Sequence, residues 1–559
     1  MRRLLMSAAL AAVFALTVYS QDYLDAVLYL TGASAAEELG EDVLERFEAL
    51  ASRPLRLNTA PEARLVSSGL LSRYQAASVA DYRRNYGDIL SVAELALLDG
   101  FGEGTARALA PFVSFETQAP PGRSSLEKGR VKTEALMRAS LSASEGEGSV
   151  GSALKLRTGD EERWLVSAAA KQAPGGALWP PGALSASAAV YGSRLPFTAV
   201  LGDFNARFGQ GLLLWSGFSL SGVQSAAAMD RHPSGLSPAW TLSPDAVHRG
   251  AAVDLAIGRF VLSAFWSAGK CAGANLTWLA RSGQLGVTAI DAGRASLDWR
   301  WSLGKWDLFG ELAGDAVGRC CAFVAGGAWN PAYQVRLAAS VRGYPSAFGG
   351  SLAGALRSST RSSDESGAAI ALDYKDFKLT SDAAYHPGKG TAQYKTVVKY
   401  ALQLSERLTA GLRAVSRYRP ADPHPWRNEL RAEAALAGPA GLSLKGCAAA
   451  CRSAETSWLT YLEGGYVKES SDGKISLYLR GTAFKVDRWE DRIYIYERDV
   501  PGSFSVPAFY GRGCSAAAVA SVKRRHIALH ARAGLTAYPG MGGKKPGKAG
   551  LKFQCQFTF

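Results

Sequence analysis

One stretch near the C-terminus comes close to a phosphate-binding loop. Residues 542–549 read Gly-Gly-Lys-Lys-Pro-Gly-Lys-Ala. In nucleotide-binding loops of this kind, a Ser or Thr after the lysine binds a magnesium ion, and Ala549 takes that place here. The segment also leads into a strand-like pattern rather than a helix. We therefore predict a flexible loop and no nucleotide chemistry.

The histidines, cysteines and serines lack a catalytic or metal-binding arrangement. His526 and His530 lie four residues apart in a predicted strand, which separates them by about 13 Å, too far for one metal ion. The seven cysteines form no CxxC pair, and there is no Gly-x-Ser-x-Gly motif. We predict that the protein is not an enzyme and has no cofactor and no metal site.

The composition restricts the class of protein further. The chain has 559 residues, of which 47% are hydrophobic and 20% are charged, so an intrinsically disordered protein is excluded. Beyond the N-terminus no run of about 18 apolar residues occurs, which excludes a helical membrane protein. A large soluble protein or a β-barrel remains.

Residues 1–20 have the pattern of a secretory signal peptide. Arg2 and Arg3 precede an apolar run over residues 4–18, and Ser20 provides a small residue before Gln21. We predict cleavage before Gln21 and export from the cytoplasm.

Residues 21–115, called the head below, have a helical pattern. Apolar and acidic residues alternate at helix spacing over residues 41–50. The apolar positions are Val43, Leu44, Phe47 and Leu50, and the acidic positions on the other side are Glu41, Asp42, Glu45 and Glu48. Thr59 with Glu62, and Ser91 with Glu94, have capping-box spacing and predict two helix starts.

Several short motifs in residues 55–113 resemble the tandem helix-hairpin-helix domain of competence-type DNA-uptake proteins. These motifs are Leu57-Asn58-Thr59-Ala60, Tyr82-Arg83-Arg84, Gly87 and Gly100-Phe101-Gly102. The resemblance implies that amides of a Gly-hydrophobic-Gly turn bind a DNA phosphate at a helix start. It gives Gly100, Gly102, Thr105 and Arg107 as phosphate-binding candidates. The first hairpin departs from the family, because Gly69-Leu70-Leu71 lacks the second glycine.

The charge of the head bears on that implied activity. Residues 21–115 contain eight arginines, no lysine and fourteen acidic residues, a net charge of −6. Binding to DNA phosphates depends on cationic contacts that release counterions, which an acidic domain lacks. Two interpretations remain, nonspecific DNA binding and a protein-interaction or plug module, and the charge favours the second.

After a predicted linker over residues 116–129, the pattern changes to strict alternation, which continues from residue 130 to residue 559. In the last segment Leu551, Phe553, Cys555, Phe557 and Phe559 alternate with polar residues. We count about 24 such segments, each about ten residues long. A soluble sandwich also alternates. It does not explain the signal peptide, so many strands in one domain, or an aromatic C-terminal residue.

Those features together resemble outer-membrane β-barrels, in which a final strand ending in Phe is recognised by the barrel assembly machinery. The fold class predicted is therefore a small all-α helix-hairpin-helix domain followed by a large antiparallel transmembrane barrel with an even number of strands. The partners implied are outer-membrane lipid and, through the strand ending in Phe559, the assembly machinery. Three further landmarks resemble Gram-negative envelope proteins described only as helix-hairpin-helix domain-containing, a family with no settled activity: Gly202-Asp203-Phe204, residues 208–212 and residues 496–501.

The barrel part is strongly basic. Removing the two arginines of the signal and the −6 of the head from the total of +14 leaves +18 for residues 116–559. Arg413, Arg417 and Arg532 fall on the polar side of alternating segments, so we predict that they line the lumen and favour anions. For Lys544, Lys545 and Lys548, contact with lipid phosphates is an equal alternative.

The longest stretch without clear alternation is residues 216–244, which we predict to be a gating or binding loop. Three hypotheses for function follow from the sequence. The first is an outer-membrane pore whose periplasmic head binds a periplasmic protein partner or covers the lumen mouth. The second is a component for uptake of DNA or another polyanion, with nucleic acid disfavoured by the acidic head. The third is a purely structural or assembly barrel.

Overall fold

The computed structural model describes residues 23–116 and 131–559, except 145–146, 161–162, 177–179, 193–194, 218–221, 224, 244–246, 292, 333, 351 and 540–545. The predicted signal peptide, almost all of the predicted linker, and Lys544 and Lys545 lie outside the described residues. Lys548 and Ala549 belong to the last strand.

The described part of the head is built from short helices. These are α1 (residues 23–31), α2 (Glu41–Ser52), α3 (Glu62–Ser67), α4 (Arg73–Asn85), α5 (Val92–Leu97) and α6 (Gly102–Leu109), with 3-10 turns at Ala36–Glu38 and Ala110–Phe112. Two short strands, β1 (Leu55–Arg56) and β2 (Val113–Ser114), pair in parallel and join the two ends of the part that contains α3 to α6. Because α3 contacts α4 and α5 contacts α6, the head contains two successive pairs of helices around its own apolar core.

The helix starts differ in part from the capping-box prediction. The prediction for Thr59 is wrong, since Pro61 precedes α3 and no side chain caps that helix. Ser91 does cap α5 through the amide of Glu94, but the Glu94 carboxylate accepts from the Leu90 amide instead of closing the box. A complete capping box lies at α4, between Ser72 and Gln75, which the sequence analysis overlooked.

The rest of the chain forms a closed antiparallel barrel of 24 strands in the residues described, which confirms the predicted fold class and strand number. The strands are β3 (Lys132–Ser144), β4 (Glu147–Asp160), β5 (Trp164–Gln172), β6 (Ala183–Tyr191), β7 (Phe197–Arg207), β9 (His248–Ile257), β10 (Phe260–Ser267), β11 (Cys271–Leu279), β12 (Gly283–Ile290), β13 (Arg294–Leu303), β14 (Trp306–Asp315), β15 (Cys320–Trp329), β16 (Val335–Tyr344), β17 (Glu365–Tyr374), β18 (Phe377–His386), β19 (Thr391–Gln403), β20 (Leu408–Tyr418), β21 (Trp426–Ala437), β22 (Leu442–Arg452), β23 (Thr456–Ser470), β24 (Gly473–Val486), β27 (Gly511–Arg524), β28 (Ile527–Ala537) and β29 (Lys548–Thr558). The short strand β8 (Gly235–Pro238) pairs with the end of β7, while β7 also pairs directly with β9. Strands β25 (Ile493–Tyr494) and β26 (Ala508–Phe509) pair only with each other.

The ring closes where β29 pairs with β3, so both of these strands reach the same end of the barrel, called the terminal end. At that end the Thr133 amide donates to the Phe559 carbonyl at 3.1 Å. The opposite end is called the far end. Successive strands run in opposite directions, so β3, β7, β16 and β24 all finish at the far end.

The outer face of the barrel is apolar. In β10, for example, Phe260, Leu262 and Trp266 are exposed, while Val261 and Phe265 point inward and are buried. Exposed aromatic residues form one band near each end. Near the terminal end these are Trp306, Trp329, Tyr374 and Tyr400, and near the far end Trp266, Tyr385, Tyr394, Trp426 and Trp458. Two aromatic bands around an apolar belt are typical of barrels that span a lipid bilayer.

The lumen of the barrel is filled by protein. Three connections at the far end, as far as the structure describes them, fold into the ring: the first inward segment (208–247), the second (345–364) and the third (487–510). The head enters from the terminal end. Among the described residues, no helix is long and apolar enough to cross a membrane.

Candidate functional site

A row of carboxylates on the head faces the inner wall of the barrel. Glu41, Glu45 and Glu48 recur on one side of α2, opposite Phe47 and its apolar neighbours, which pack in the head's core. The preceding 3-10 turn adds two more carboxylates to the same row. The five residues Glu37, Glu38, Glu41, Glu45 and Glu48 are called the acidic stripe.

The acidic stripe is paired with basic side chains of the inner wall. The pairs are Glu37 with Arg431 at 2.8 Å, Glu38 with Arg413 at 2.9 Å, Glu41 with Lys171 at 3.3 Å, and Glu45 with Lys155 at 3.2 Å. These cations belong to β21, β20, β5 and β4, so the contacts reach around a large part of the ring. The acidic head and the basic barrel therefore meet directly. The pairs of Glu37, Glu38 and Glu45 are largely buried, and the pair of Glu41 with Lys171 is half-buried.

Two buried pairs of reversed polarity also join the head to the wall. Arg53 contacts Glu134 of β3 at 2.6 Å, and both side chains are below 10% exposed. Arg73 of α4 is 3% exposed and donates to Asp254 of β9 at 2.9 Å and to Asn275 of β11 at 2.8 Å. Since lone buried charges are unstable in a protein interior, each of these pairs fixes the position of the head.

The acidic stripe ends at the third inward segment. The Glu48 carboxylate accepts a hydrogen bond from the Gly502 amide of that segment, and burial raises the pKa of Glu48 to about 7. Arg138 of β3 donates to the Pro501 carbonyl at 2.9 Å, so the wall holds the same turn. Phe504 packs against the apolar core of the head. Head, wall and inward segment thus share one continuous interface.

The first inward segment is anchored by a buried carboxylate. Glu311 of β14 is 1% exposed and accepts from the amides of Gln210 at 2.7 Å and Leu212 at 3.0 Å. Gly209 and Gly211 have positive φ, which lets the backbone curl around that carboxylate. The segment includes most of the predicted gating or binding loop. That loop lies inside the ring, and its role in gating stays a prediction.

The third inward segment carries the landmark residues 496–501, and its charges are paired with the wall. Arg532 of β28 donates to Glu497 at 2.7 Å, and Lys552 of β29 donates to Asp499. Arg498 in turn donates to Glu463 of β23 at 2.7 Å. Two of the three landmarks, residues 208–212 and 496–501, therefore lie in segments that fill the lumen, whereas Gly202-Asp203-Phe204 lies in β7.

The three predicted lumen residues all lie on the inner face of the barrel. Arg413 is bound to the head, Arg532 is bound to the third inward segment, and Arg417 contacts Asp422 at 3.1 Å beside an internal cavity. The neighbours on the outward face, such as Leu412, are exposed. In this arrangement the charges of Arg413 and Arg532 are neutralised by the head and by the third inward segment.

The four phosphate-binding candidates lie together at the second helix pair of the head. Gly100 and Gly102 both have positive φ, and Gly102 is open to solvent at the first residue of α6. Thr105 is half-buried, and Arg107 pairs with Glu103 at 2.6 Å on the surface. Phosphate binding by this turn stays a prediction.

The sequence analysis missed Arg73, Arg138, Lys155 and Arg431, which hold the head. Their partners are remote in the chain: Glu37 and Arg431 are separated by 394 residues. One signal was present, since Arg138 and Lys155 are basic residues on the inward side of alternating strands. Such residues need a partner once the lumen is filled.

No family model matches the sequence, and no curated protein matches it either. Among solved structures, the chain is similar to the P pilus usher (PapC) translocation pore, with 9% identity, a TM-score of 0.38, and coverage of 76% of this chain and 99% of that chain. It is also similar to PapC in an E. coli P pilus tip assembly intermediate (10%, 0.44, 79% and 63%) and to Pseudomonas aeruginosa OccK3 (10%, 0.28, 77% and 95%). At these values the likeness concerns the barrel architecture alone.

Proposed function

We propose that this protein is an outer-membrane β-barrel pore, not an enzyme, and that its N-terminal head acts as a plug. The apolar outer face with two aromatic bands supports a place in a lipid bilayer. The signal-like first twenty residues and the aromatic Phe559 support export to the outer membrane, with the head on the periplasmic side.

The main support for a plug is the pairing of the acidic stripe with the basic inner wall. The head has its own apolar core, and its contacts with the wall are largely ion pairs and hydrogen bonds. Polar interfaces of this kind are typical of domains that move relative to each other. We infer that the head can leave as a unit and expose a basic, anion-selective lumen.

The head also offers a surface for a periplasmic protein partner. Tyr86, Leu90 and Leu97 are 79%, 61% and 84% exposed on the part of the head that does not contact the barrel. Large apolar side chains exposed together are common at protein–protein interfaces. A partner bound there could pull the head from the lumen.

Uptake of DNA or another polyanion is the alternative function. The Gly100–Gly102 turn is exposed and has the backbone conformation that the family resemblance implies. Asp99 and Glu103 flank the turn, however, and they repel a phosphate. We therefore rank this function second.

Planar-bilayer recordings in a salt gradient test the plug. The full chain should conduct rarely, and Glu37→Gln/Glu38→Gln/Glu41→Gln should open it, because the cations facing these residues lose their partners. The matched control is Glu94→Gln/Asp99→Asn/Glu103→Gln, which removes three carboxylates of the head that make no hydrogen bond or ion pair with the described part of the wall.

The open state should give a reversal potential of anion sign, reduced when Arg413, Arg417 and Arg532 become Gln. Heat-modifiable gel mobility shows that each variant is a folded barrel. Equal conductance of the triple variant and its control, or cation selectivity, would contradict the proposal. Deletion of residues 21–115 distinguishes a plug formed by the head from one formed by the inward segments, since only the former predicts conductance on deletion.

A further inference from the structure

A cavity of about 430 Å³ remains inside the closed barrel, between the head, the inner wall at β18–β21 and the inward segments. Six basic side chains line it: Lys395, Arg413, Arg417, Arg419, Arg427 and Arg431. Four acidic residues also line it, Glu37, Glu38, Asp382 and Glu429. The volume is in the range of cavities that bind small molecules.

The lining carboxylates do not satisfy all of these cations. Glu37 pairs with Arg431, Glu38 with Arg413, and Glu429 with Arg427 at 2.7 Å. The fourth carboxylate, Asp382, is engaged from outside the cavity by Arg342 at 2.8 Å. Three cations are therefore left without a carboxylate of their own on the cavity wall: Lys395, Arg417 and Arg419.

The remaining contacts of these three cations are weak or incomplete. The Lys395 ammonium is 3.8 Å from Glu38, which already accepts from Arg413. Arg417 reaches Asp422 with one terminal nitrogen, while its buried Nε has no partner. The Arg419 guanidinium has no polar partner within the described parts of the chain. Cationic hydrogen-bond donors without a full set of partners attract an anion strongly in a cavity of low dielectric constant.

We propose that this cavity, called the anion vestibule, binds a small multivalent oxyanion, either a carboxylate or a phosphate. Guanidinium groups match the two-oxygen geometry of both ligands, and the Lys395 ammonium adds a further donor. The proposal rests on the proposed function in one respect, namely that the vestibule belongs to the transport path.

The head itself competes for this site. Glu37 and Glu38 are carboxylates of the head that already occupy Arg431 and Arg413 on the vestibule wall. A multivalent anion that binds the same arginines displaces the two carboxylates, so the head loses two of the ion pairs that hold it in the barrel. By linkage, bound anion weakens docking of the head by the same factor by which docking weakens anion binding, and removal of the two carboxylates should relieve this competition.

Titration calorimetry on the full chain in detergent tests the site, with citrate as the carboxylate probe and inorganic pyrophosphate as the phosphate probe. We expect saturable binding of at least one of them, and the ratio of the two affinities identifies the preferred chemistry. Arg417→Gln/Arg419→Gln should weaken binding at least about tenfold, since two charge-assisted contacts are lost. Arg452→Gln is the matched control, because Arg452 is exposed on the same half of the barrel.

A second variant tests the competition. Glu37→Gln/Glu38→Gln should bind the preferred probe more tightly than the unaltered chain, and unchanged or weaker binding would refute a shared site. Absence of saturable binding below about 10 mM of either probe, or equal loss in the Arg452 control, would overturn the vestibule itself. Calorimetry needs no conductance, so failure of the site and failure of the pore are observed separately.

Discussion

Replacement of Arg73 by methionine tests whether buried ion pairs hold the head in the barrel. Arg73 donates to Asp254 at 2.9 Å, to Asn275 at 2.8 Å and to Thr277 at 3.1 Å. Methionine keeps an unbranched chain but is shorter and has no donor, so these hydrogen bonds and the one to Ser263 are lost. Asp254 is then left buried without its cation, and among the residues that the structure describes the Leu236 amide still donates to it at 3.1 Å.

The size of the effect follows from the burial of the pair. Removal of one partner of a buried ion pair costs about 3–5 kcal/mol, and the amide that stays on Asp254 places this case near the lower limit. At about 1.4 kcal/mol per factor of ten, docking should weaken by about 150-fold. The control is Arg84→Met on the same helix, because Arg84 and its partner Asp81 are 71% and 67% exposed. An exposed pair within the head should change docking by less than about twofold.

Native-state trypsin digestion provides the assay. Arg64 is 7% exposed in α3, which contacts β7 and β8, so cleavage after this residue requires the head to leave the barrel. The cleavage rate then follows the undocked population. We expect about 150-fold faster cleavage for Arg73→Met and no more than about a twofold change for Arg84→Met.

The double variant Arg73→Met/Asp254→Asn checks the cause of that change. It should recover part of the loss, because the uncompensated carboxylate is gone. Equal cleavage rates for Arg73→Met and Arg84→Met would refute the idea that buried ion pairs hold the head.

Three further predictions concern Glu48, Phe559 and Gly102. The pKa of Glu48 is raised to about 7 in the docked state, so its contribution to docking is complete below about pH 4.5 and is lost as the pH rises through 7. Relative to trypsin's rate on a short peptide at the same pH, cleavage should therefore accelerate between pH 5 and pH 8, and Glu48→Gln should flatten this normalised profile; an unchanged profile in the variant would assign it to another group. Deletion of Phe559 should reduce the heat-modifiable, folded fraction in outer membranes, and a wild-type fraction would show that the terminal aromatic residue is dispensable. The full chain should bind duplex DNA weakly near physiological salt by fluorescence anisotropy, whereas submicromolar binding that Gly102→Glu abolishes would promote the DNA-uptake function.

The barrel could be predicted from sequence because its signal is local. Alternation with period two is visible within each strand, and Leu412 with Arg413 already shows which side chain points outward and which inward. Repetition of that signal gave the number of strands, which the structure confirms. The prediction of helix starts was less reliable. Thr59 and Glu62 have the spacing of a capping box without forming one, and the box at Ser72 and Gln75 was overlooked.

The position of the head could not be predicted in the same way. Its contacts join residues hundreds of positions apart, such as Glu38 with Arg413, and no periodicity records such a pair. Besides the inward-facing basic residues Arg138 and Lys155, the summed charges of opposite sign pointed to an association. The inward position of the three segments could not be predicted for a related reason. Glu311, which binds the first of them, lies in a strand whose alternating pattern does not differ from that of the neighbouring strands.

The use of ion pairs, rather than apolar contacts, between head and wall has a physical consequence for a plug. An apolar interface would expose a hydrophobic patch on both surfaces after release, and water would not readily fill an apolar lumen. Here the released head carries the acidic stripe, which water solvates readily. The emptied wall exposes cations such as Lys155 and Arg431, which hydrate and attract anions. The same charges therefore hold the plug when the barrel is closed and set the selectivity when it is open, which is why closure and anion binding should compete.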